Sequence, residues 1–278
     1  MERAFFCAKL EEGMFVRRAG NPQAKQTLLW IHGLGESGLC FENIARHEKL
    51  SAFYHIIPDM PGYGRSFNQD KVLSIEETVT YLSDWLSACE TPPVVLIGHS
   101  LGGVIGQLLC EKHPEQVERF VNIEGNISLG DCSYSKKAKG VGLEEFKRVT
   151  FPKMLDEFYL SGCDCRQSSG EALRGYYTSC RLCDIDTFYR HSRELTDISE
   201  TGKLAERLAN LKDKKPVYIH GTKDGVCQRS LELLNAAGVK PFSITDDDSR
   251  RSFVYSGHWP FIDQPDKFAQ TLAQLLKS

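Results

Sequence analysis

The sequence predicts an α/β fold, with a mostly parallel β-sheet, helices on both faces and an inserted helical cap. Strand-like and helix-like segments alternate from about Thr27 onward, which is typical of a parallel sheet covered by helices. The alternation stops between about residues 126 and 211, where helical patches and scattered aromatic residues occur without a clear strand. We therefore expect a core formed by residues 1–125 and 212–278, and a cap subdomain formed by residues 126–211.

The predicted strands begin with a hairpin at the edge of the sheet. Two short segments, Ala4–Leu10 and Gly13–Arg18, are expected to pair antiparallel there. The inner strands before the cap are predicted over Thr27–Ile31, Tyr54–Pro58, Val94–Ile97 and Val117–Glu124. After the cap, strands are predicted over Pro216–His220, Pro241–Thr245 and Phe253–Tyr255.

The predicted helices are amphipathic and several have recognisable starts. Ser74 and Glu77 form a capping box at the start of one helix. The apolar face of that helix consists of Ile75, Val79, Leu82 and Leu86. Further helices are expected near Phe41–Arg46 and around Leu231–Ala237. Pro265 begins the last helix, whose inward face is Phe268, Leu272, Leu275 and Leu276.

The composition favours a protein that acts on a small molecule. A net charge of −3 over 278 residues gives no reason to expect nucleic acid or an anionic membrane as a partner. The amino terminus lacks an apolar stretch of signal-peptide length, and no segment approaches the roughly 20 apolar residues of a membrane span. We therefore expect a soluble cytoplasmic protein whose ten cysteines are free thiols. The sequence indicates no oligomeric state.

The most informative motif is the turn that follows the strand Val94–Ile97. The segment Gly98–Gly102 places Ser100 between two glycines, and an amphipathic run follows it until Pro114. This order of strand, turn and helix is typical of a nucleophile elbow, in which a strained serine exposes its hydroxyl at the carboxyl edge of the sheet. The amino end of the following helix favours an oxyanion there. The motif predicts acyl chemistry with Ser100 as the nucleophile.

A serine nucleophile requires a base and an acid that orients the base. His258 is the expected base, because it alone among eight histidines follows the last strands, in a loop before the final helix. Asp224 is the preferred acid, since it follows the strand that ends at His220 and shares the same sheet edge. Glu124 is the alternative acid. It ends the strand after the nucleophile, but a residue at the start of the cap also has a ready structural role.

The oxyanion hole needs two backbone N–H donors. Leu101, directly after the nucleophile, is expected to supply one of them. The loop His32–Gly35 follows the strand Thr27–Ile31, and its glycines let the backbone turn its amides toward the site. Leu34 is therefore the expected second donor.

With these motifs the chain resembles the α/β-hydrolase superfamily over nearly its whole length. The segment Asp59–Ser66 is similar to the turn after the fourth strand in capped members of that superfamily. The resemblance implies the α/β-hydrolase fold and an esterase-like serine hydrolase that uses no metal and no organic cofactor. It also implies a triad of Ser100, Asp224 and His258, with an oxyanion hole from Leu34 and Leu101. Dehalogenases and epoxide hydrolases of this fold are excluded, because they use an aspartate in place of Ser100.

The sequence leaves the substrate open. Cleavage of a carboxylic ester or related small acyl compound is favoured, and we expect Gly33, His99, Tyr176 and Trp259 to line the substrate pocket. The pair of His258 and Trp259 resembles enzymes that hydrolyse a carbon–carbon bond in ring-cleavage products, although the loop after Gly33 differs from theirs. A receptor that keeps the hydrolase fold and turns over slowly is the other alternative.

Two cysteine pairs in the predicted cap have the ligand count of a structural zinc site. The pairs are Cys163 with Cys165, and Cys180 with Cys183. The first pair is separated by one residue, which is shorter than the usual spacing, and six further cysteines are scattered along the chain. Free thiols are therefore favoured over a metal site.

Overall fold

The computed structural model describes residues 6–66, 71–163, 170–221, 226–244 and 257–277. Within these residues, the strands are β1 (Phe6–Glu11), β2 (Met14–Gly20), β3 (Thr27–Ile31), β4 (Tyr54–Pro58), β5 (Val94–His99), β6 (Val117–Ile123), β7 (Val217–Gly221) and β8 (Phe242–Ile244). They form one sheet in the order β1-β2-β4-β3-β5-β6-β7-β8. The strand predicted at Phe253–Tyr255 lies outside the described residues.

The sheet is parallel except at one edge. β1 and β2 form the predicted antiparallel hairpin, and β2 also runs antiparallel to β4. The described pairs from β4 to β8 are all parallel. The prediction of an α/β-hydrolase fold with a mostly parallel sheet is confirmed.

β5 lies inside the sheet and leads into the site. All six of its residues are buried, because the strand lies between β3 and β6, with Ile97 opposite both Trp30 and Val121. A strand covered on both faces needs a continuous apolar run, which Val94–Ile97 supplies. Each such side chain stabilises the fold by roughly 1.5 to 3 kcal/mol on burial. The turn after β5 therefore starts from a strongly packed strand.

Helices cover the sheet and fill the segment between β6 and β7. In the described residues they are α1 (Glu42–Ala45), α2 (Ile75–Ala88), α3 (Leu101–Lys112), α4 (Leu143–Glu145), α5 (Phe151–Cys163), α6 (Gly170–Cys180), α7 (Ile185–Glu200), α8 (Leu204–Asn210), α9 (Gln228–Ala236), α10 (Pro260–Asp263) and α11 (Pro265–Lys277). None of the described helices is both long enough and apolar enough to cross a membrane.

The helix starts agree with the sequence signals where a capping residue is present. The Glu77 N–H donates to Ser74 Oγ at 3.0 Å, and the Ser74 N–H donates to the Glu77 carboxylate at 2.8 Å, so the predicted capping box is formed. The helix expected at Phe41–Arg46 is shorter than predicted, because a 3₁₀ turn over Gly38–Phe41 takes up its start. α9 begins three residues earlier than its apolar pattern indicates, at Gln228.

The segment 126–211, called the cap segment below, contains α4 to α8 and no strand among its described residues. It is fastened to loops of the core. The Tyr63 hydroxyl donates to His191 Nδ1 at 2.8 Å, the Asp184 N–H donates to the Gly62 carbonyl oxygen at 2.9 Å, and Ser179 Oγ lies 3.3 Å from Ser37 Oγ. These core residues lie in the loops after β3 and β4, so the cap segment contacts the carboxyl edge of the sheet.

Candidate active site

Ser100 lies between β5 and α3 in a strained backbone conformation. Its φ is 52° and its ψ is −120°, a combination that residues with a side chain rarely adopt. Space requires the flanking glycines: a Cβ at Gly98 would lie 2.2 Å from the Gly102 carbonyl oxygen, and a Cβ at Gly102 would lie 2.2 Å from that of Ile31. The Ser100 N–H donates to the Ile123 carbonyl oxygen at 2.9 Å, which fastens the turn to β6. This is the backbone geometry of a nucleophile elbow.

Two backbone N–H groups beside Ser100 are available to an oxyanion. Leu101 is the first residue of α3, so its N–H has no partner within the helix. The N–H of the buried Leu34, in the loop after β3, donates to no acceptor in the described part of the chain. This loop passes close to the nucleophile, since a Cβ at Gly33 would lie 3.0 Å from the Ser100 Cβ. The sequence predicts oxyanion donors at these two positions.

His258 is hydrogen-bonded to Glu124. The distance between His258 Nδ1 and Glu124 Oε2 is 2.7 Å. The His258 side chain is 29% exposed, whereas that of Glu124 is fully buried. Because a carboxylate only accepts, Nδ1 carries the proton in this contact and Nε2 is left to accept one. The arrangement is that of a base held by an orienting acid.

Glu124 directly follows β6 and is held by the neighbouring strand. Its φ of 48° lies in the left-handed region, which costs a residue with a side chain about 1 to 3 kcal/mol. The Glu124 N–H donates to the Ile219 carbonyl oxygen at 2.9 Å, and Glu124 Oε1 accepts from the Gly221 N–H at 2.5 Å. Ile219 and Gly221 both belong to β7, so this strand orients the backbone and the carboxylate together.

Asp224, the acid preferred from the sequence, lies outside the described residues. The carboxylate that the structure places on His258 belongs to Glu124, which sequence reasoning ranks second. The sequence signal for Glu124 is its position directly after β6, whose carboxyl end lies beside that of β5.

Two opposing effects act on the pKa of His258. Removal from water lowers it, whereas the hydrogen bond and the negative charge of Glu124 raise it, with a smaller contribution from the charge of Glu36. The effect of the carboxylates prevails, so the pKa of His258 lies above its ordinary value of 6.5. The neutral imidazole that can act as a base therefore becomes dominant only above that pH.

His258 is brought to the elbow through the residue that precedes the nucleophile. The ring centroids of His99 and His258 are 4.7 Å apart, and His99 Nε2 lies 2.8 Å from the His258 carbonyl oxygen. In the described structure the Ser100 hydroxyl makes no hydrogen bond to His258. Such catalytic hydrogen bonds are often long before a substrate binds.

Glu36 lies next to these groups, and sequence reasoning missed it. This side chain is buried, and its two oxygens accept from the Gly33 N–H at 2.6 Å and from the Trp259 indole N–H at 2.5 Å. His99 Nδ1 lies 3.0 Å from Glu36 Oε2. Burial raises the pKa of Glu36, but His99 and the two N–H donors outweigh burial and lower it to about 2. The sequence signal is weak: one acidic residue in a glycine-containing loop after a buried strand.

The four residues expected to line the pocket take two kinds of position. His99 is completely buried with both ring nitrogens in contact, and Gly33 lies between Ser100 and Glu36, so both stand behind the nucleophile. Tyr176 and Trp259 are in ring contact, with centroids 5.5 Å apart, and the Trp259 ring is 5.1 Å from that of His258. These two aromatic side chains form a wall beside His258.

Three of the four cysteines considered for a zinc site lie in the described part of the cap segment. Cys180 and Cys183 are buried, and Cys163 ends α5, but Cys165 lies outside the described residues. In the part of the chain that the structure describes, no three His, Cys, Asp or Glu side chains are grouped so that they would hold a metal ion. Burial raises the pKa of the Cys180 thiol.

The sheet topology and the elbow define a protein of the α/β-hydrolase fold. Residues 28–271 match the sequence profile of the alpha/beta hydrolase family. The chain belongs to this family.

Similar proteins include esterases and lactonases. A pimeloyl-acyl-carrier-protein methyl ester esterase of Proteus mirabilis is 23% identical over 260 residues, which cover 90% of this chain and 92% of that enzyme. An uncharacterized protein of Mycobacterium tuberculosis is 24% identical over 265 residues, covering 90% of this chain and 74% of the relative. The structure of the enol-lactonase from Burkholderia xenovorans LB400 superposes with a TM-score of 0.73 at 17% identity, covering 98% of this chain and 100% of that one.

Proposed function

We propose that this protein is a serine hydrolase that cleaves a carboxylic ester or a related small acyl compound through an acyl-enzyme. The observation that carries the proposal is the position of a strained serine at the same sheet edge as His258 and the buried Glu124 that contacts it. A strained serine and a buried carboxylate both cost stability, so a purely structural origin explains them poorly. Glu124 replaces Asp224 as the acid in this proposal.

In the proposed first half of the reaction, Ser100 Oγ attacks the carbonyl carbon while His258 Nε2 takes the hydroxyl proton. The carbonyl electrons move to its oxygen, which accepts from the N–H groups of Leu34 and Leu101. When the tetrahedral intermediate collapses, the bond to the leaving alcohol breaks and His258 gives that alcohol the proton. Glu124 stabilises the imidazolium throughout and holds its tautomer.

The second half repeats these steps with water. His258 takes a proton from the water molecule as its oxygen bonds to the acyl carbon, and the oxyanion forms again in the same place. Collapse of this intermediate breaks the bond to Ser100 Oγ, which recovers its proton from His258. The products are a carboxylic acid and free enzyme, and the balance requires only water.

The related proteins support an ester or a lactone as the substrate class, because one is named a methyl ester esterase and another an enol-lactonase. The carbon–carbon hydrolase alternative depends on the tryptophan after His258. The indole N–H of Trp259 donates to Glu36 at 2.5 Å, which gives this side chain a positioning task. No contact in the described residues favours cleavage of a carbon–carbon bond.

Two measurements on the purified protein test the proposal. It is expected to hydrolyse p-nitrophenyl acetate with many turnovers per chain, and a fluorophosphonate is expected to label Ser100 and abolish turnover. Ser100→Ala should lose both the label and the activity, whereas Ser51→Ala, which changes an exposed serine outside the site, should keep both. A single stoichiometric burst would favour the slow-turnover receptor. A label on another serine, or a Ser100→Ala variant that stays active, would overturn the assignment.

A further inference from the structure

Glu36 and His99 form a second contact between a carboxylate and an imidazole, beside that of Glu124 and His258. Both side chains are buried, at 3% and 0% exposure, and neither is in the triad. Their contact ties together three loops of the site. Residues 32–37, which follow β3, are called the oxyanion loop. Glu36 accepts from the Gly33 N–H in this loop and from the indole of Trp259, the residue after the proposed catalytic histidine. His99 belongs to the elbow itself.

The surroundings of the His99 ring differ from those of the other buried histidines. His32, His55 and His191 each place one ring nitrogen against a donor, respectively the Met60 N–H, the Trp30 indole and the Tyr63 hydroxyl, and the other against a carbonyl oxygen. One proton on the ring satisfies each of them.

His99 faces acceptors on both sides. Its Nδ1 lies 3.0 Å from the Glu36 carboxylate and its Nε2 lies 2.8 Å from the His258 carbonyl oxygen. A neutral ring would turn a lone pair toward one of these acceptors, and an unpartnered buried polar atom is costly. Both contacts are satisfied when both ring nitrogens carry protons.

The position of Glu36 gives a second reason for a positive charge on His99. A Cβ at Gly33 would touch both Ser100 Cβ at 3.0 Å and Glu36 Oε2 at 3.1 Å, so only the width of a glycine separates the carboxylate from the nucleophile. An uncompensated negative charge on Glu36, so near Ser100, would oppose the oxyanion that forms on the substrate. An imidazolium in contact with the carboxylate cancels this charge.

We infer that Glu36 and His99 form a carboxylate–imidazolium pair that positions the oxyanion loop and the His258 loop around Ser100. Glu36 holds the Gly33 amide, next to the Leu34 donor, and His99 holds the His258 carbonyl group. Both are positioning residues, and their effect on catalysis rests on the proposed function. The protonation state of His99 is independent of the proposed function.

The protonation state is measured by NMR of the protein with nitrogen-15 in its histidine side chains. Near neutral pH, His99 is expected to show protons on both ring nitrogens, and His32, His55 and His191 on one each. The His99 signals are identified by their loss in His99→Gln. A single ring proton on His99 in the unchanged protein would overturn the inference, whether or not the protein hydrolyses an ester.

Kinetics test the positioning role. A glutamine at position 36 cannot accept from Gly33, His99 and Trp259 together, because its amide nitrogen is a donor. Glu36→Gln is therefore expected to lower kcat for p-nitrophenyl acetate about 10- to 100-fold, with KM changed less than about threefold. His99→Gln is expected to lower kcat by a similar factor, also with little change in KM.

Glu42→Gln is the matched control, because its carboxylate contacts Arg17 and Arg46 away from the site, and it should keep its kcat. A folded Glu36→Gln with the kcat of the unchanged protein would overturn the positioning role. If the unchanged protein shows no turnover, the proposed function fails, and the His99 spectrum still decides the charge of the pair.

Discussion

At the scale of single residues, two non-glycine positions of the proposed active site have positive φ. Ser100 and Glu124 have φ values of 52° and 48°, and each directly follows one of two adjacent parallel strands. Such strain persists only where neighbouring contacts over-determine it. Here each backbone N–H donates to the next strand in the sheet, Ser100 to Ile123 and Glu124 to Ile219. The same backbone arrangement therefore places the proposed nucleophile and the proposed acid at adjacent strand ends.

The first prediction at this scale separates the two candidate acids. Loss of the orienting carboxylate in a serine protease lowers turnover by about four orders of magnitude. We expect Glu124→Gln to lower kcat by at least about two orders, and its matched variant Asp224→Asn to lower kcat far less. Steady-state kinetics on variants with unchanged circular dichroism measure both. A greater loss in Asp224→Asn would return the role to Asp224.

The pH dependence of the same variant supplies a second readout. Activity requires neutral His258, so kcat/KM should fall as the pH drops through the His258 pKa, which Glu124 raises above 6.5. Glu124→Gln removes the carboxylate, whose hydrogen bond and charge are the main effects that raise this pKa, while the lowering effect of burial remains, so the acidic limb should move to lower pH. An acidic limb that stays in place would show that Glu124 does not contact the catalytic imidazole in solution.

At the scale of elements, one face of α6 packs onto the oxyanion loop. A Cβ at Gly35, whose φ is 74°, would lie 2.7 Å from Cys180 Sγ and 3.1 Å from the Tyr176 hydroxyl. Ser179 on the same helix contacts Ser37 of the loop. Through this helix the cap segment packs against the residues beside Leu34, one of the two proposed oxyanion donors.

The prediction at this scale concerns acyl length. Tyr176→Ala removes the side chain between Gly35 and Trp259, so we expect kcat/KM for longer p-nitrophenyl esters to rise roughly tenfold relative to the acetate. Tyr176→Phe keeps the ring and should keep the original preference. Values of kcat/KM for a panel of p-nitrophenyl esters with two to eight acyl carbons measure this preference.

Tyr176→Ala should also lower the free energy of unfolding by about 3 to 5 kcal/mol, so its assays must be run below its unfolding temperature. If folded Tyr176→Ala keeps the acyl-length preference of the unchanged protein, Tyr176 does not line the acyl pocket.

At the scale of the whole molecule, buried neutral histidines couple the fold to pH. His55 lies on β4, an inner strand of the sheet, where it accepts from the Trp30 indole, and His191 connects the cap segment to Tyr63. Burial lowers the pKa of each to about 4, below the ordinary 6.5. The unfolded chain therefore binds more protons between these pH values, and stability falls as the pH falls through this window.

We predict that the free energy of unfolding at pH 5 is lower than at pH 7 by roughly 2 kcal/mol for each of these two histidines. Urea denaturation at the two pH values measures the difference. His191→Gln should reduce it by about one histidine's share, whereas His113→Gln, which changes a partly exposed ring, should leave it unchanged. A His191→Gln variant that shows the same difference between pH 5 and pH 7 as the unchanged protein would contradict the prediction.

The features that the sequence predicts correctly depend mostly on patterns of a few neighbouring residues. The apolar run Val94–Ile97, the glycines around Ser100 and the capping box at Ser74 act within a few residues, so their causes are visible in the sequence. His258 was identifiable because the order of elements left one histidine in a loop before the last helix. The resemblance in these motifs also agrees with the family match over residues 28–271.

The sequence by itself determined the fold class, the elbow with its serine and the family. Only the tertiary structure decided which carboxylate meets His258 and that Glu36 lies behind the nucleophile. Glu124 and His258 are 134 residues apart, and Glu36 and Trp259 are 223 apart. These contacts depend on β6 lying between β5 and β7 and on which loops meet at one sheet edge. No local pattern records that order, because it is set by the packing of the whole sheet.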